Sequence, residues 1–271
     1  MNNEEPQILV KLQGGLGNIM FQLASMESFR QLTGLSIRYT NFNEQAREYF
    51  FSRAINFPGY QNNIFSKILG GLNFQSKINR HLIEENEFFD DLSFLFNIPN
   101  SFFVGYLQNH NFFLNKNFVA NLFDFSDIFI PEYYLHIIEA HSVVSMHVRR
   151  GDYLNNQHIL PCPTAEWYHN AIQSCKDYDK IFLFSDDIAW CKKNFKNPKI
   201  EFISQNELNE LQSLKLMTLC HQHIICNSTF SWWGAYLSDS EKVIMPGKWF
   251  GPAIMNPRPI THYKLNYWEI L

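Results

Sequence analysis

From residue 141 to residue 245, short apolar runs stop abruptly at polar turns, and helix-period segments follow the turns. Residues 141–148 (HSVVSMHV) end at Arg149-Arg150-Gly151-Asp152, Lys180–Ser185 ends at Asp186-Asp187, and residues 223–226 end at Asn227-Ser228-Thr229. The runs are nearly continuous in apolar character, as expected of strands covered on both faces. Helical spacing marks residues 165–175, 188–195, 207–220 and 231–237, while Ile200–Ile203 and Lys242–Met245 add two more strand candidates. Regular alternation of strand and helix predicts an α/β fold with a parallel sheet and crossover helices.

The first part of the chain opens in the same way. Residues 8–12 (ILVKL) stop at Gly14-Gly15-Leu16-Gly17-Asn18, after which Met20, Phe21, Leu23, Ala24 and Phe29 fall at helical spacing. From 49 to 130 the chain is rich in Phe and Asn and follows neither a two-residue nor a 3.6-residue period. That stretch reads as an irregular helical region with one strand candidate at 101–107. With 271 residues and 46% hydrophobic content, the chain can build two cores. No repeat, low-complexity tract or long linker interrupts it.

Charge and cysteine usage exclude several classes. A net charge of −4 argues against a nucleic-acid partner, which would require a basic excess along one face. The five cysteines are odd in number and form no Cys-x-x-Cys pair, so they read as reduced thiols. There is no apolar run of membrane-spanning length, and the start MNNEEPQILVKL is acidic where a leader would be basic. A cytoplasmic location is the expectation. The tripeptide Arg150-Gly151-Asp152 suggests a cell-adhesion ligand when read alone, but this context disfavours that reading.

In open parallel sheets, ligands bind outside the carboxyl ends of the strands. The polar motifs sit there: Gly14 to Asn18, His147 to Asp152, Ser185 to Asp187, and Asn227 to Thr229. An arginine following a buried strand presents a fixed planar fork to a phosphate. Asn227-Ser228-Thr229 precedes a helix, whose N-terminal N–H groups and dipole favour the same oxygens. Together these residues describe a diphosphate site that uses no metal. Each motif also has a plainer reading: a glycine turn, a solvated arginine pair, or helix caps worth about 1 kcal/mol. Cys220-His221-Gln222-His223 with Cys226 hints at zinc, but a strand points alternate side chains to opposite faces and the spacing matches no standard ligand set. Trp232 and Trp233 read as packing, with sugar stacking as the lesser alternative.

His147-Val148-Arg149-Arg150-Gly151-Asp152-Tyr153 and Gly14-Gly15-Leu16-Gly17-Asn18 with Met20-Phe21-Gln22 resemble motifs of the bacterial alpha-1,2-fucosyltransferases of glycosyltransferase family 11. Phe184-Ser185-Asp186-Asp187 and the run from Asn227-Ser228-Thr229 through Ser231-Trp232-Trp233-Gly234-Ala235 complete the resemblance, in family order and across nearly the whole chain. It implies a two-domain fold of the GT-B type, with an acceptor-side domain at 1–140 and a nucleotide-binding domain at 141–271. It also implies GDP-fucose as donor, a galactose-terminated oligosaccharide as acceptor, inversion at the anomeric carbon, and no cofactor or required metal.

On this resemblance Arg149 binds the donor's β-phosphate and His147 lies beside the nucleotide, with Arg150 in the same loop. Asp186, next to Asp187, holds guanine or ribose; Ser228 and Thr229, after Asn227, contact phosphate oxygens; and Asn18 faces the diphosphate from the other domain. The chain departs from the pattern at Ile19 and Leu23, where Gln and Tyr are expected, and at Ser213, where an acidic residue is expected.

Asp152 has two readings: a general base for the acceptor hydroxyl, or an ion pair that orients Arg149 or Arg150. Three rival functions stay open: a glycan-binding or adhesion module, a dinucleotide-dependent oxidoreductase using the N-terminal glycine turn, and a fucosyltransferase acting on protein. Peripheral association with a membrane carrying a lipid-linked acceptor also stays open.

Overall fold

The structure, a computed structural model, describes residues 8–40, 68, 81–85, 92, 93, 95, 101–240, 242–254 and 257–271. The chain divides into two compact units, Met1–Asp127 and Ile128–Leu271. The division falls ahead of the boundary at 140/141 read from the sequence. Helix Glu132–Ala140 accounts for the difference, because its Tyr134 packs edge-on against Phe182 of the second unit.

The first unit carries a sheet of β1 (Ile8–Lys11), β2 (Ile37–Thr40), β3 (His81–Glu84) and β4 (Ser101–Val104). All pairs are parallel, in the order β2-β1-β4-β3. Between β1 and β2 runs α1 (Leu16–Thr33), whose inner surface includes Ile19, Met20, Phe21, Leu23 and Ala24, none of them exposed. Ile19 and Leu23, two of the three departures from the family pattern, are thus packing residues. The turn entering α1 has Gly14 at φ 83°, a conformation that glycine alone adopts without strain. Much of the 49–130 stretch lies outside the described residues; its strand candidate at 101–107 appears as β4, cut short at Val104.

The second unit is built on a six-stranded parallel sheet. Its strands are β5 (Val143–Val148), β6 (Lys180–Ser185), β7 (Ile200–Ile203), β8 (Gln222–Ile224), β9 (Lys242–Met245) and β10 (Glu269–Ile270). The order is β10-β9-β8-β5-β6-β7. Val144, Met146, Val148, Ile181 and Leu183 face one layer that includes Tyr168, Ala171 and Cys191. Val143, Phe182 and Phe184 face the other, with Leu216 and Met217. Both faces are covered, which explains the continuous apolar runs.

This strand order places a site. The chain leaves β5 toward β6 and β7, then returns to the other side of β5 as β8 and continues to β9. Neighbours β5 and β8 therefore send their following connections in opposite directions, which is the topological switch point where open sheets bind ligands. The loop starting at Arg149 leaves β5, and the turn Asn227-Ser228 lies beyond β8. Among the described residues no helix is long and apolar enough to cross a membrane.

Candidate active site at the switch point

Sheet register sets up the central contacts. Val148 pairs with Ser185, so the residues leaving β5 stand opposite those leaving β6. Arg149 Nη1 lies 2.8 Å from Asp186 Oδ2, an ion pair outside hydrogen-bond geometry, and Arg149 Nη2 donates to Asp152 Oδ1 at 2.6 Å. Asp186 Oδ1 also accepts the backbone N–H of Arg150 at 2.8 Å. Arg149 keeps only 13% of its side chain exposed and Asp186 9%, against 36% for Asp152. Burial works against the Arg149 charge, but Asp186 and Asp152 outweigh it and raise the guanidinium's pKa. Arg149 is a fixed cation.

Arg150 turns to a different partner set. Its Nε donates to Asp187 Oδ2 at 3.1 Å, and its guanidinium carbon stands 4.0 Å from the Trp190 ring centroid. Asp187 in turn caps helix Ile188–Asn194 by accepting the N–H of Trp190 at 3.0 Å. The adjacent arginines therefore diverge: Arg149 is clamped in the loop, and Arg150 is fastened to the next helix.

Beyond β8, helix Thr229–Leu237 begins at Ser228, whose side chain does not cap it, and its first turn holds no acidic residue. An uncapped helix start of this kind suits an anion. Asn227 is buried at 2% exposure; its Nδ2 donates to the Trp249 carbonyl at 3.0 Å, and its own carbonyl accepts the Tyr153 hydroxyl at 3.2 Å. The Ser228 side chain also hydrogen-bonds the Tyr153 phenol, whose pKa burial raises. Tyr153 thereby ties the two loops together. Its ring lies 5.6 Å from the Arg149 guanidinium carbon.

His147 is 6% exposed, with Nδ1 3.4 Å from Cys226 Sγ and its carbonyl accepting the Tyr168 hydroxyl at 3.1 Å. Burial, then the Arg149 charge, lower its pKa to about 4 against a smaller opposing pull from Asp186. At neutral pH the imidazole is uncharged.

The second unit thus gathers His147, Arg149, Arg150, Asp152, Asp186 and Asp187 around the ends of β5 and β6, with Asn227, Ser228 and Thr229 after β8. Asn18 belongs to the first unit, where its Oδ1 accepts Gln108 Nε2 at 2.8 Å. The expected donor-site residues differ in their contacts. Asp186, expected at guanine or ribose, spends its carboxylate on Arg149 and the Arg150 N–H. Asp187 is a helix cap paired with Arg150, and Asn227 is locked into loop structure. Asp152 is paired with Arg149, as its orienting reading expects, and stays partly exposed.

Tyr153, Trp190 and Cys226 were not assigned from the sequence. Tyr153 ends the His147–Tyr153 motif, and the sequence offers Cys226 only as a zinc candidate. The zinc candidates disperse: Cys220 Sγ donates to the Leu216 carbonyl and His221 Nδ1 accepts the Val143 N–H. Among the described residues no group of three or more His, Cys, Asp or Glu could hold a metal ion. All five cysteines are free, and Trp232 and Trp233 are fully buried.

Residues 2–250 match the family model described as glycosyl transferase family 11. An alpha-1,2-colitosyltransferase of Escherichia coli is 31% identical over 287 residues, covering 90% of this chain and 92% of that protein. The O-antigen biosynthesis glycosyltransferase WbnK of Escherichia coli is 37% identical over 127 residues, 42% of this chain and 41% of the relative. A galactoside 2-alpha-L-fucosyltransferase, SEC1 of Bos taurus, is 25% identical over 119 residues, 38% of this chain and 30% of the relative.

Proposed function

Because the chain belongs to glycosyltransferase family 11, we propose that it transfers L-fucose from GDP-β-L-fucose to O2 of a terminal galactose, with inversion at the anomeric carbon. The observation that carries this reading is the fixed Arg149 fork at the switch point, beside an uncapped helix N-terminus. Charge builds on the leaving diphosphate as the sugar C1–O bond breaks, and a preorganised cation with helix N–H donors stabilises it without needing a metal. The resemblance of the sequence motifs supports GDP-fucose, and the name of the bovine relative supports a galactoside acceptor.

The electrostatics impose a condition on donor binding. Arg149 and Arg150 are matched by three carboxylates, Asp152, Asp186 and Asp187, so the cluster carries one net negative charge. A diphosphate that binds at Nη2 of Arg149 must displace the carboxylate already there. Asp186 is buried and held through both oxygens, whereas Asp152 is the more exposed and contacts the guanidinium through one. In the proposed sequence a phosphate oxygen takes the place of Asp152 on Nη2. The released carboxylate then accepts the acceptor's hydroxyl proton as the acceptor oxygen bonds C1 and GDP leaves with the electron pair.

A second reading concerns the donor sugar, since a relative matching 90% of this chain is named a colitosyltransferase. Colitose is L-fucose without its 3-hydroxyl, so both donors share the diphosphate chemistry. Transfer from GDP-fucose and from GDP-colitose to a panel of β-galactosides and protein acceptors, with chelator present and linkage analysis of the product, tests both. Alpha-1,2 fucosyl product in chelator supports the first reading, and preference for the 3-deoxy sugar supports the second. Absence of transfer together with absence of GDP binding would overturn both.

A further inference from the structure

Cys226 and His147 form a contact that the donor-site reading leaves unused. Cys226 Sγ lies 3.4 Å from His147 Nδ1, with the cysteine fully buried. The pair stands where β5 ends and the chain has just left β8, at the switch point itself. The Tyr168 hydroxyl holds the His147 carbonyl from one side, and the Phe230 ring lies 5.6 Å from the imidazole. The ring therefore has a fixed seat.

Proton accounting assigns the tautomer. The Arg149 backbone N–H and the Tyr168 phenol also stand near the sulfur, and the phenol gives its proton to the His147 carbonyl. Ser231 Oγ is farther away, at 3.9 Å, and gives its own proton to the Ser228 carbonyl at 3.3 Å. The nearest acceptor for the thiol proton is then His147 Nδ1. A ring nitrogen that accepts carries no proton, so the imidazole proton sits on Nε2. Among the described residues Nε2 has no hydrogen-bond partner. Burial pushes the Cys226 thiol up to about 12 while His147 is lowered to about 4, so the two are a neutral pair and not a thiolate with an imidazolium.

We propose that Cys226 is a positioning residue whose thiol holds His147 in the neutral Nε2–H tautomer, so that the ring offers an N–H donor to an oxygen of the donor nucleotide diphosphate. The inference rests on the donor-site reading above and adds to it the group that orients His147. Nitrogen NMR of histidine-labelled protein reads the tautomer directly, without substrate. The expected result is Nε2–H in the unaltered protein, a mixture of tautomers in Cys226→Ala, and recovery in Cys226→Ser, whose hydroxyl can donate to Nδ1. GDP affinity should fall about five-fold in Cys226→Ala and recover in Cys226→Ser. A merely structural cysteine would leave the tautomer unmoved.

An Nδ1–H signal in the unaltered protein, which needs no variant to fold, overturns the proposal; so does an unchanged tautomer in Cys226→Ala. If GDP fails to bind the unaltered protein, the donor-site reading falls and takes the diphosphate contact with it. Normal GDP binding with the wrong tautomer overturns the proposal alone.

Discussion

Gly151 approaches Asp186 so closely that a Cβ at position 151 would stand 2.6 Å from Asp186 Oδ2 and 3.2 Å from its Cγ. That carboxylate cannot simply swing aside, because it is engaged with Arg149 and with the Arg150 N–H. The glycine of Arg150-Gly151-Asp152 is thus explained by the side chain packed against it, which ties the tripeptide to the candidate site. Gly151→Ala should displace Asp186 and loosen the Arg149 fork. We expect transfer to fall by about 10- to 100-fold, the scale of a roughly 1 Å misplacement. Unchanged kcat in a variant with native circular dichroism would show that Asp186 does not set Arg149.

The two arginines should separate in mutagenesis. Arg149→Lys keeps the charge but loses the planar fork that meets Asp152 and Asp186, and a loss of about 100-fold in kcat/KM is expected. Arg150→Lys loses its stacking on Trp190 and its Nε contact to Asp187. Its larger effect should be on stability, about 1 kcal/mol by urea unfolding. Equal activity losses in the two variants would contradict the division of labour drawn from the structure.

What could be read in advance follows burial. The runs at β5, β6 and β9 announced themselves because strands covered on both faces must be apolar throughout. Strand β2, Ile37-Arg38-Tyr39-Thr40, is an edge strand whose alternation lasts only four residues, and β10 is a two-residue edge; both are too short to stand out. The site was legible as a set of loops at strand ends, since the parallel topology dictates where they gather. The direction of each carboxylate was not. Asp186 meets Arg149 because Val148 is in register with Ser185, and a register between distant segments is invisible in a single sequence. The Cys226–His147 contact has the same origin, in the adjacency of β5 and β8.

Asp152→Asn should move binding and turnover in opposite directions. Removing one of three carboxylates from the arginine cluster relieves repulsion toward a diphosphate, so GDP should bind about three- to ten-fold more tightly at low salt, with the gain shrinking as salt rises. Transfer should nevertheless fall by about 100-fold, since the amide cannot accept the acceptor's proton. Calorimetric titration with GDP beside steady-state rates checks both halves. Weaker GDP binding in the variant would mean that Asp152 serves the donor directly, and unchanged turnover would remove it as the base.

His147 predicts a specific loss of stability in acid. Its pKa in the folded protein is lowered to about 4 by burial and by Arg149, against an ordinary value near 6.5. Between those values the unfolded chain binds a proton that the folded protein refuses, so stability is complete above about pH 6.5 and falls as pH drops toward about 4. The full loss attributable to this ring is about 3 kcal/mol. Urea unfolding from pH 7.5 to pH 4.5, compared with His147→Gln, isolates it, because the other titrating groups contribute to both proteins. The unaltered protein should lose stability more steeply than the variant over that window. Parallel curves would mean that the imidazole accepts its proton at an ordinary pH, and that the ring is not held neutral between Arg149 and Cys226.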